Sequence, residues 1–339
     1  LTDDDIKGES FYNPMLPDVV KDLDAAGLLV EDDGALCVFP PGFANREGEP
    51  LPLIVQKSDG GFGYAATDLA CIRDRVDELG ARRMLYVVGA PQAQHLQMCF
   101  AVARMAGWIP EGVVAQHVPF GSVLGTDHRM LRTRAGSSVR LVDLLDEAVS
   151  RAADAMTERG RDAGSTTEEH RTVVRALGIG AVKYADLSTD RVRDYVFDWE
   201  RMLSFEGDTG PYLQYAHARI RSIFRRAVEE TAGSVSGDDG LGAEAHDIVL
   251  LAPEERALAL SLLGYAPAIR AATEDSAPSR LCAYLYALAS TFTAFYERCP
   301  VLRAPDSTTR RSRLALSETA ARVLAEGLGL LGIEAPDRM

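Results

Sequence analysis

The chain has 339 residues, of which 47% are hydrophobic and 25% charged, and this length predicts two domains rather than one core. It contains no apolar run of about eighteen residues that would predict a membrane span, and its net charge of −14 argues against unspecific binding of nucleic acid. Its five cysteines form no C-x-x-C pair and predict reduced core thiols of a cytoplasmic protein, not zinc ligands or disulfides.

The first 140 residues alternate between short strands and helices. Apolar, β-rich runs at residues 53–55 and 84–88 predict buried strands. The second run ends at Gly89, and a helical pattern follows it. A strand, a glycine turn and a helix in this order are typical of an open parallel sheet, whose ligands bind beyond the carboxyl ends of the strands. The residues predicted on the inner face of this helix are Leu96, Cys99, Val102 and Met105 or Ala106.

A glycine-rich turn at residues 60–63 leads into a second helical pattern, predicted over residues 65–79. Tyr64 and Asp68 lie about one turn apart at its N-terminal end. A phenol oxygen and a carboxylate that converge there can hold a planar cation such as guanidinium. The alternatives are that Asp68 only stabilises the helix dipole and that Tyr64 packs in the core. The predicted apolar stripe consists of Leu69, Ile72, Val76 and Leu79.

Two further groups of polar residues follow predicted strands. Gln92 and His95 lie three residues apart in the first turn of the helix after residue 91, where Gln92 can also be an ordinary surface amide. His117 can stack on a base or bond to it, and Gly121 lets the backbone approach a ligand closely. The alternative for His117 is a core histidine whose hydrogen bonds are satisfied within the protein.

Residues 129–136 combine closely spaced cations with a terminal glycine. Arg129, Arg132 and Arg134 suit the phosphates of ATP or pyrophosphate. A solvated basic loop without a function is the alternative.

From about residue 141 the strand patterns disappear, and apolar residues recur every three or four positions. This half is therefore predicted to be an all-helical bundle. Arginines gather at residues 219–226 and 310–313, where they suit either RNA or a solvated face balanced by acidic neighbours. Tyr212 and Tyr215 can stack on unpaired bases, or pack in the core. The predicted helices are residues 141–157, 190–203, 211–231, 254–271, 279–298 and 310–331.

Several segments, in this order along the whole chain, resemble those of arginyl-tRNA synthetases. The segment YAATDLA at residues 64–70 is similar to the tyrosine-to-alanine signature with which that family binds arginine. The other matching segments are GESFYN at 8–13, LYVVGAPQAQH at 85–95, HVPFGSV at 117–123, KYADLS at 183–188, PYLQYAHAR at 211–219 and FYERCPV at 295–301.

The resemblance implies a fold and a set of roles. The fold is α/β followed by all-α: the second half of a class I Rossmann-type nucleotide-binding sheet (residues 1–140), a helical connecting region (141–205) and a helical anticodon-binding domain (206–339). The implied arginine site is Tyr64, Asp68 and Gln92. The implied ATP-binding residues are His95, His117, Phe120, Gly121 and Gly136. The implied catalytic residues are Arg129, Arg132, Thr133 and Arg134. The implied tRNA-binding residues are Tyr212, Gln214, Tyr215, Arg219 and Arg221.

Two departures from the family pattern stand out. Arg132 occupies the position where the family usually has lysine, and Ala135 a position where serine is common. The histidine-isoleucine-glycine-histidine type signature of class I synthetases is absent, since histidines occur only at positions 95, 117, 128, 170, 217 and 246. We therefore expect the C-terminal portion of a longer enzyme. A split protein and a truncated paralogue are the alternatives.

The function implied by the resemblance is arginine–tRNA ligation, with arginine, ATP and arginine tRNA as partners. ATP acts as a substrate with Mg²⁺, and no tightly bound cofactor or resident metal is expected. We also expect a monomer that does not bind membranes. The rivals are a non-catalytic tRNA-binding or regulatory paralogue and a paralogue that charges arginine for a secondary pathway.

Overall fold

The computed structural model of the chain describes residues 2–130, 140–159, 168–232 and 248–339. The chain divides into two compact units, Leu1–Gly121 and Ser122–Met339. Among the described residues, no helix combines the length and the apolar character that crossing a bilayer requires. The finer division at residues 140 and 205 stays a prediction.

The first unit alternates short strands with helices. A hairpin joins its first two strands through Asp33 and Gly34, whose positive φ angles of 48° and 76° suit a two-residue turn. A π-helical turn, Asp74–Glu78, continues the second helix. The elements in chain order are α1 (Leu16–Ala25), β1 (Val30–Asp32), β2 (Ala35–Val38), β3 (Leu53–Gln56), α2 (Tyr64–Arg73), β4 (Arg83–Gly89), α3 (Ala93–Met105) and β5 (Val114–Phe120).

Two small sheets form in this unit. Strands β4 and β5 are parallel, with Tyr86 opposite His117, and α3 connects them. This confirms the predicted order of strand, turn and helix, but β4 is not a buried strand, since Leu85 and Val87 are 44% and 62% exposed. The predicted strand at residues 53–55 is present as β3, but it pairs antiparallel with β2 and does not join β4. The hairpin between β1 and β2 supplies the neighbour that β3 needs, so β3 extends an antiparallel sheet.

Helix α2 packs its apolar side against the centre of the first unit. Leu69 and Ile72 are fully buried there, in one cluster with Val19 and Leu23 of α1. The predicted stripe does not continue to Leu79, which is 62% exposed, because the α-helix ends at Arg73 and the π turn changes the phase of the side chains. On α3, the predicted residues Leu96, Cys99 and Val102 are buried, whereas Met105 is exposed.

The second unit is mainly helical. Its elements in chain order are β6 (Val123–Leu124), α4 (Leu141–Glu158), α5 (Glu168–Ser188), β7 (Tyr195–Val196), α6 (Trp199–Met202), α7 (Gly210–Ala232), α8 (Pro253–Leu263), α9 (Tyr265–Glu274), α10 (Pro278–Arg298) and α11 (Ser307–Leu330).

Two predictions for this unit are wrong in detail, and one helix has no prediction. Residues 190–203 do not form one helix, because β7 pairs with β6 and only the short α6 follows. The helix predicted over residues 254–271 is two helices that meet at Gly264. Helix α5 was not predicted, although its glycines have a clear purpose in packing. A Cβ at Gly178 would lie 2.7 Å from the backbone of Ala148 on α4, so glycine allows the two helices to approach closely.

Candidate substrate site

Helix α2 begins at Tyr64, directly after the glycine-rich turn. Gly63 precedes it in an extended conformation, with φ −102° and ψ 177°. Tyr64 is 74% exposed, so the alternative that it packs in the core is wrong. Its side chain borders an open groove of about 420 Å³. The residues that line this groove are Leu51, Pro52, Leu53, Ile54, Tyr64, Ala65, Gln94, His95 and Met98.

Asp68 lies one turn after Tyr64 and faces α3. Its Oδ2 atom is 2.7 Å from Nε2 of His95, and both side chains are about one-third exposed, at 31% and 35%. Asp68 is therefore held by a tertiary contact in addition to any interaction with the helix dipole. A carboxylate has about four acceptor positions, so this contact leaves capacity for a guanidinium. His95, predicted to bind ATP, is here a partner of Asp68.

Cys99 completes a cluster with these two residues. It lies one turn after His95 on α3, and its Sγ atom is 3.6 Å from the same Nε2 atom. The thiol is fully buried. Burial, and then the charge of Asp68, raise the pKa of Cys99 well above its ordinary value. Carboxylate oxygen, imidazole nitrogen and thiol sulfur all lie within 4.8 Å of one another.

Gln92 occupies the end of the 3₁₀ turn Ala90–Gln92 and caps α3. Its side chain is exposed, and it does not line the groove beside Tyr64. Gln94, two residues further on, does line it. The sequence reasoning missed Gln94, and the predicted contact of Gln92 with arginine stays a prediction.

The predicted adenosine segment lies at the end of β5. Nε2 of His117 is 3.0 Å from the carbonyl oxygen of Val88 on β4, which accepts a hydrogen bond from it. His117 is half-buried, Phe120 is 47% exposed, and Gly121 follows the strand directly. One nitrogen of His117 thus forms a hydrogen bond within the protein, as expected for the alternative that His117 is a core histidine. The carboxyl end of this parallel pair remains the edge at which ligands bind in open α/β sheets.

The predicted phosphate loop is described only at its beginning. Arg129 belongs to the second unit and is exposed, and its backbone N–H donates to Oδ1 of Asp127 over 3.1 Å. The predicted residues Arg132, Thr133, Arg134 and Gly136 lie outside the described residues.

Helix α7 carries the residues predicted to bind tRNA. The rings of Tyr212 and Tyr286 have their centroids 5.7 Å apart, and those of Tyr215 and Phe205 are separated by 6.4 Å. Both α7 tyrosines are half-buried. Each tyrosine therefore packs partly in the protein, and its exposed part remains available for stacking on a base.

Gln214 has a structural role. Its side chain is fully buried, and its Nε2 group donates to the carbonyl oxygens of Ala176 and Glu334 over 3.0 and 2.8 Å. It therefore joins α7 to α5 and to the C-terminal segment. The prediction that Gln214 contacts tRNA is corrected on this ground, since a buried amide with two carbonyl partners does not reach RNA at the surface.

The arginines of the second unit differ in their surroundings. The guanidinium of Arg219 lies 4.7 Å from the ring centroid of Tyr296. Arg221 forms ion pairs with Glu318 and Asp337, at 3.1 and 3.2 Å. Both arginines are half-buried. Acidic neighbours balance the charge of Arg221, as the solvated-face alternative expects, whereas the contact of Arg219 is aromatic.

Comparisons with known proteins agree on one family. Residues 1–199 match the family model described as tRNA synthetases class I (R), catalytic domain, and residues 213–339 match the DALR anticodon binding domain. The chain is 51% identical over 339 residues to the arginine–tRNA ligase of Thermobifida fusca, and 48% identical over 340 residues to that of Proteus mirabilis.

Structural similarity covers the same extent. The arginyl-tRNA synthetase of Thermus thermophilus superposes with a TM-score of 0.81 and 28% identity, over 96% of this chain and 58% of that one. The two curated relatives are covered to 57% of their length, whereas the whole of this chain is matched. The chain thus spans a little over half the length of the relatives that it matches.

Proposed function

Because the chain belongs to the class I tRNA synthetases of the arginine type, we propose that the protein containing it is an arginine–tRNA ligase. The family expected from the sequence motifs is confirmed, and the proposal concerns activity, substrates and site. The observation that carries it is that Tyr64, exposed beside an open groove, lies one turn before the carboxylate of Asp68, which contacts His95 in the lining of the same groove.

Arginine recognition rests on Asp68. A guanidinium presents a planar fork of N–H donors that matches a carboxylate. His95 holds one carboxylate oxygen and fixes the orientation of the group, and the hydroxyl of Tyr64 supplies a second polar contact at the mouth of the groove. Citrulline offers no cation to Asp68 and lysine offers no fork, so both are rejected. Gln92 is proposed as a third contact.

The chemistry proceeds by positioning and electrostatic stabilisation. The arginine carboxylate attacks the α-phosphate of ATP and pyrophosphate leaves. A hydroxyl of the terminal adenosine of tRNA then takes the arginyl group from the adenylate, and AMP leaves. His117, Phe120 and Gly121 are proposed to hold adenosine at the end of β5, and Arg129 begins the loop proposed to bind the phosphates. Mg²⁺ accompanies ATP as part of the substrate.

Recognition of tRNA is proposed for the solvent side of α7. Its support is the match of residues 213–339 to an anticodon binding domain, and the half-buried aromatic and cationic groups of Tyr212, Tyr215, Arg219 and Arg221. Partly exposed rings beside guanidinium groups can stack unpaired bases.

The protein is also proposed to be a monomer in a reducing compartment, the cytoplasm. All five cysteines are free and buried in the structure, as expected for the cytoplasm, where structural disulfides are rare. Light scattering of the purified protein tests the monomer.

The experiment for the arginine site uses the whole protein and arginine-dependent exchange of pyrophosphate into ATP, with tRNA present. Asp68→Asn removes the charge and should lower kcat/KM for arginine by about 30-fold, equivalent to about 2 kcal/mol. Asp22→Asn is the matched control, since Asp22 on α1 pairs with Arg73 of α2 and neither residue lines the groove.

Equal exchange by Asp68→Asn and the control would remove Asp68 from the arginine site. Binding of arginine tRNA without any exchange by the wild type would favour the non-catalytic paralogue.

A further inference from the structure

Three side chains of different chemistry converge between α2 and α3. Asp68 offers a carboxylate oxygen, His95 an imidazole nitrogen and Cys99 a thiol sulfur, and these atoms all lie within 4.8 Å of one another. His95 and Cys99 are four residues apart on α3 and so project from the same face of that helix. Asp68 approaches from α2, so two packed helices fix the cluster.

The distance between sulfur and nitrogen suits a tetrahedral metal. With a metal–sulfur distance of about 2.3 Å and a metal–nitrogen distance of about 2.05 Å, tetrahedral geometry separates sulfur and nitrogen by about 3.6 Å. The separation of Cys99 Sγ from His95 Nε2 is 3.6 Å. An oxygen ligand should lie about 3.4 Å from the nitrogen, whereas Asp68 Oδ2 is at 2.7 Å. The carboxylate must therefore retreat by about 0.7 Å (3.4 − 2.7), which its partial exposure permits.

We propose that Asp68, His95 and Cys99 form a binding site for a borderline-soft divalent cation of the Zn²⁺ class, with water as the fourth ligand. Thiolate and imidazole select such a cation over Mg²⁺ and Ca²⁺, which prefer oxygen. As the metal–sulfur bond forms, the thiol proton leaves to solvent. The cysteine spacing alone gave no sign of this site, because the other two ligands are not cysteines.

The site has a consequence for arginine, which rests on the proposed function. A cation bound to Oδ2 of Asp68 takes the oxygen that His95 now contacts, and its positive charge beside the groove opposes a guanidinium at the remaining oxygen. Metal and arginine therefore weaken each other's binding. The ion acts as an inhibitor of arginine binding, whereas the Mg²⁺ that accompanies ATP is not bound here.

Titration of the 339-residue chain with Co²⁺ tests the metal site without any activity assay. Tetrahedral thiolate coordination gives Co²⁺ intense visible bands and a near-ultraviolet sulfur-to-metal band, which saturate at one equivalent and disappear when Zn²⁺ is added. Cys99→Ala should abolish the sulfur band and weaken Co²⁺ binding by at least about tenfold. Cys37→Ala is the matched control, because Cys37 is an equally buried thiol of the same unit and belongs to no such cluster among the described residues.

Absence of a sulfur band in the wild type overturns the proposal, as does a band that survives in Cys99→Ala. His95→Gln, in which the buried thiol is untouched, must also lose tetrahedral binding, and circular dichroism confirms that each variant is folded. In the whole protein, Zn²⁺ should raise the KM for arginine in pyrophosphate exchange, and Cys99→Ala should reduce this effect. A Co²⁺ site that leaves the KM for arginine unchanged would keep the metal proposal and remove Asp68 from arginine binding.

Discussion

Glu255 and Arg313 form a buried ion pair in the helical unit that should contribute strongly to stability. Glu255, in the first turn of α8, is fully buried, and its Oε1 atom accepts a hydrogen bond from Nε of Arg313 over 2.7 Å. Its other oxygen accepts from the backbone N–H groups of Leu251 and Ala252. Arg313 also donates to the carbonyl oxygen of Pro300. This network joins α8 to α11 and to the segment after α10.

Arg313→Met should lower the free energy of unfolding by about 3–5 kcal/mol, because it leaves a buried carboxylate without its counterion. Coulomb's law gives a similar size, since two charges about 4 Å apart at an effective dielectric constant of about 20 attract by about 4 kcal/mol. Adding Glu255→Gln removes the unpaired buried charge but keeps an oxygen that accepts from the backbone N–H groups of Leu251 and Ala252. The double variant should therefore be more stable than Arg313→Met alone.

Urea unfolding followed by circular dichroism measures both variants. Arg298→Met is the matched control, because it breaks the neighbouring pair between Arg298 and Glu254 at 2.8 Å, in which Arg298 is 74% exposed. Exposed pairs contribute little, so its urea midpoint should stay close to that of the wild type. Equal midpoints for Arg313→Met and Arg298→Met would refute the reasoning.

The same pair predicts a pH dependence. Burial pushes the pKa of Glu255 upwards, but the backbone N–H of Ala252 and the guanidinium of Arg313 outweigh it and hold the pKa below its ordinary value. A lowered pKa contributes stability that is present above the unfolded-state pKa of about 4.3 and lost as pH falls through the folded-state pKa. The stability difference between the wild type and Arg313→Met should therefore shrink in acid.

Two further predictions concern helix packing and RNA. Gly178→Ala should destabilise the protein by about 1–3 kcal/mol in thermal unfolding, because its Cβ would press on the backbone of Ala148 at 2.7 Å. Gly329 is a helical glycine with open space around its Cβ position, so Gly329→Ala should instead stabilise the protein by about 0.5–1 kcal/mol. Equal changes in stability for the two substitutions would contradict the close packing at Gly178. In anisotropy titrations with arginine tRNA, Arg219→Ala should reduce the slope of log K against log salt by about one, whereas Arg322→Ala on the exposed side of α11 should leave it unchanged. An unaltered slope for Arg219→Ala would exclude it from the RNA surface.

Local patterns predicted those elements whose residues all contribute to one buried face. Helices α4, α7, α10 and α11 were found because their apolar residues repeat at helical spacing over four or more turns. Helix α5 buries Val174, Leu177 and Tyr184, but two glycines within its helical pattern weaken the prediction of a helix. Gly178 and Gly180 carry no apolar side chain, and only the backbone of a neighbouring helix or a side chain such as Gln214 shows why they are needed.

Hydrophobic periodicity does not indicate which strands pair or in which register. The Asp33-Gly34 dipeptide is a recognised signal for a two-residue hairpin and indicates the pairing of β1 with β2, but it does not indicate that β3 pairs with β2. Nothing comparable marks β7, which consists of two residues and owes its existence to pairing with β6, some 70 positions earlier in the chain. Such strands depend on tertiary contacts that a single sequence does not display.

The candidate site shows the same division between local and tertiary information. Tyr64 and Asp68 are neighbours on one helix, so their spacing alone brought them together. The partner of Asp68 lies 27 residues away on another helix, and the family resemblance assigns Gln92 to the arginine site and His95 to ATP, so the spacing gives no indication of the contact between Asp68 and His95. His95 contacts Asp68, and Cys99 lies one helical turn after His95 on the same face of α3. The carboxylate that the sequence assigns only to a guanidinium is therefore also one of three possible metal ligands. Which cation Asp68 binds therefore depends on the affinities and concentrations of metal and arginine, and Cys99→Ala weakens the metal while leaving the carboxylate in place.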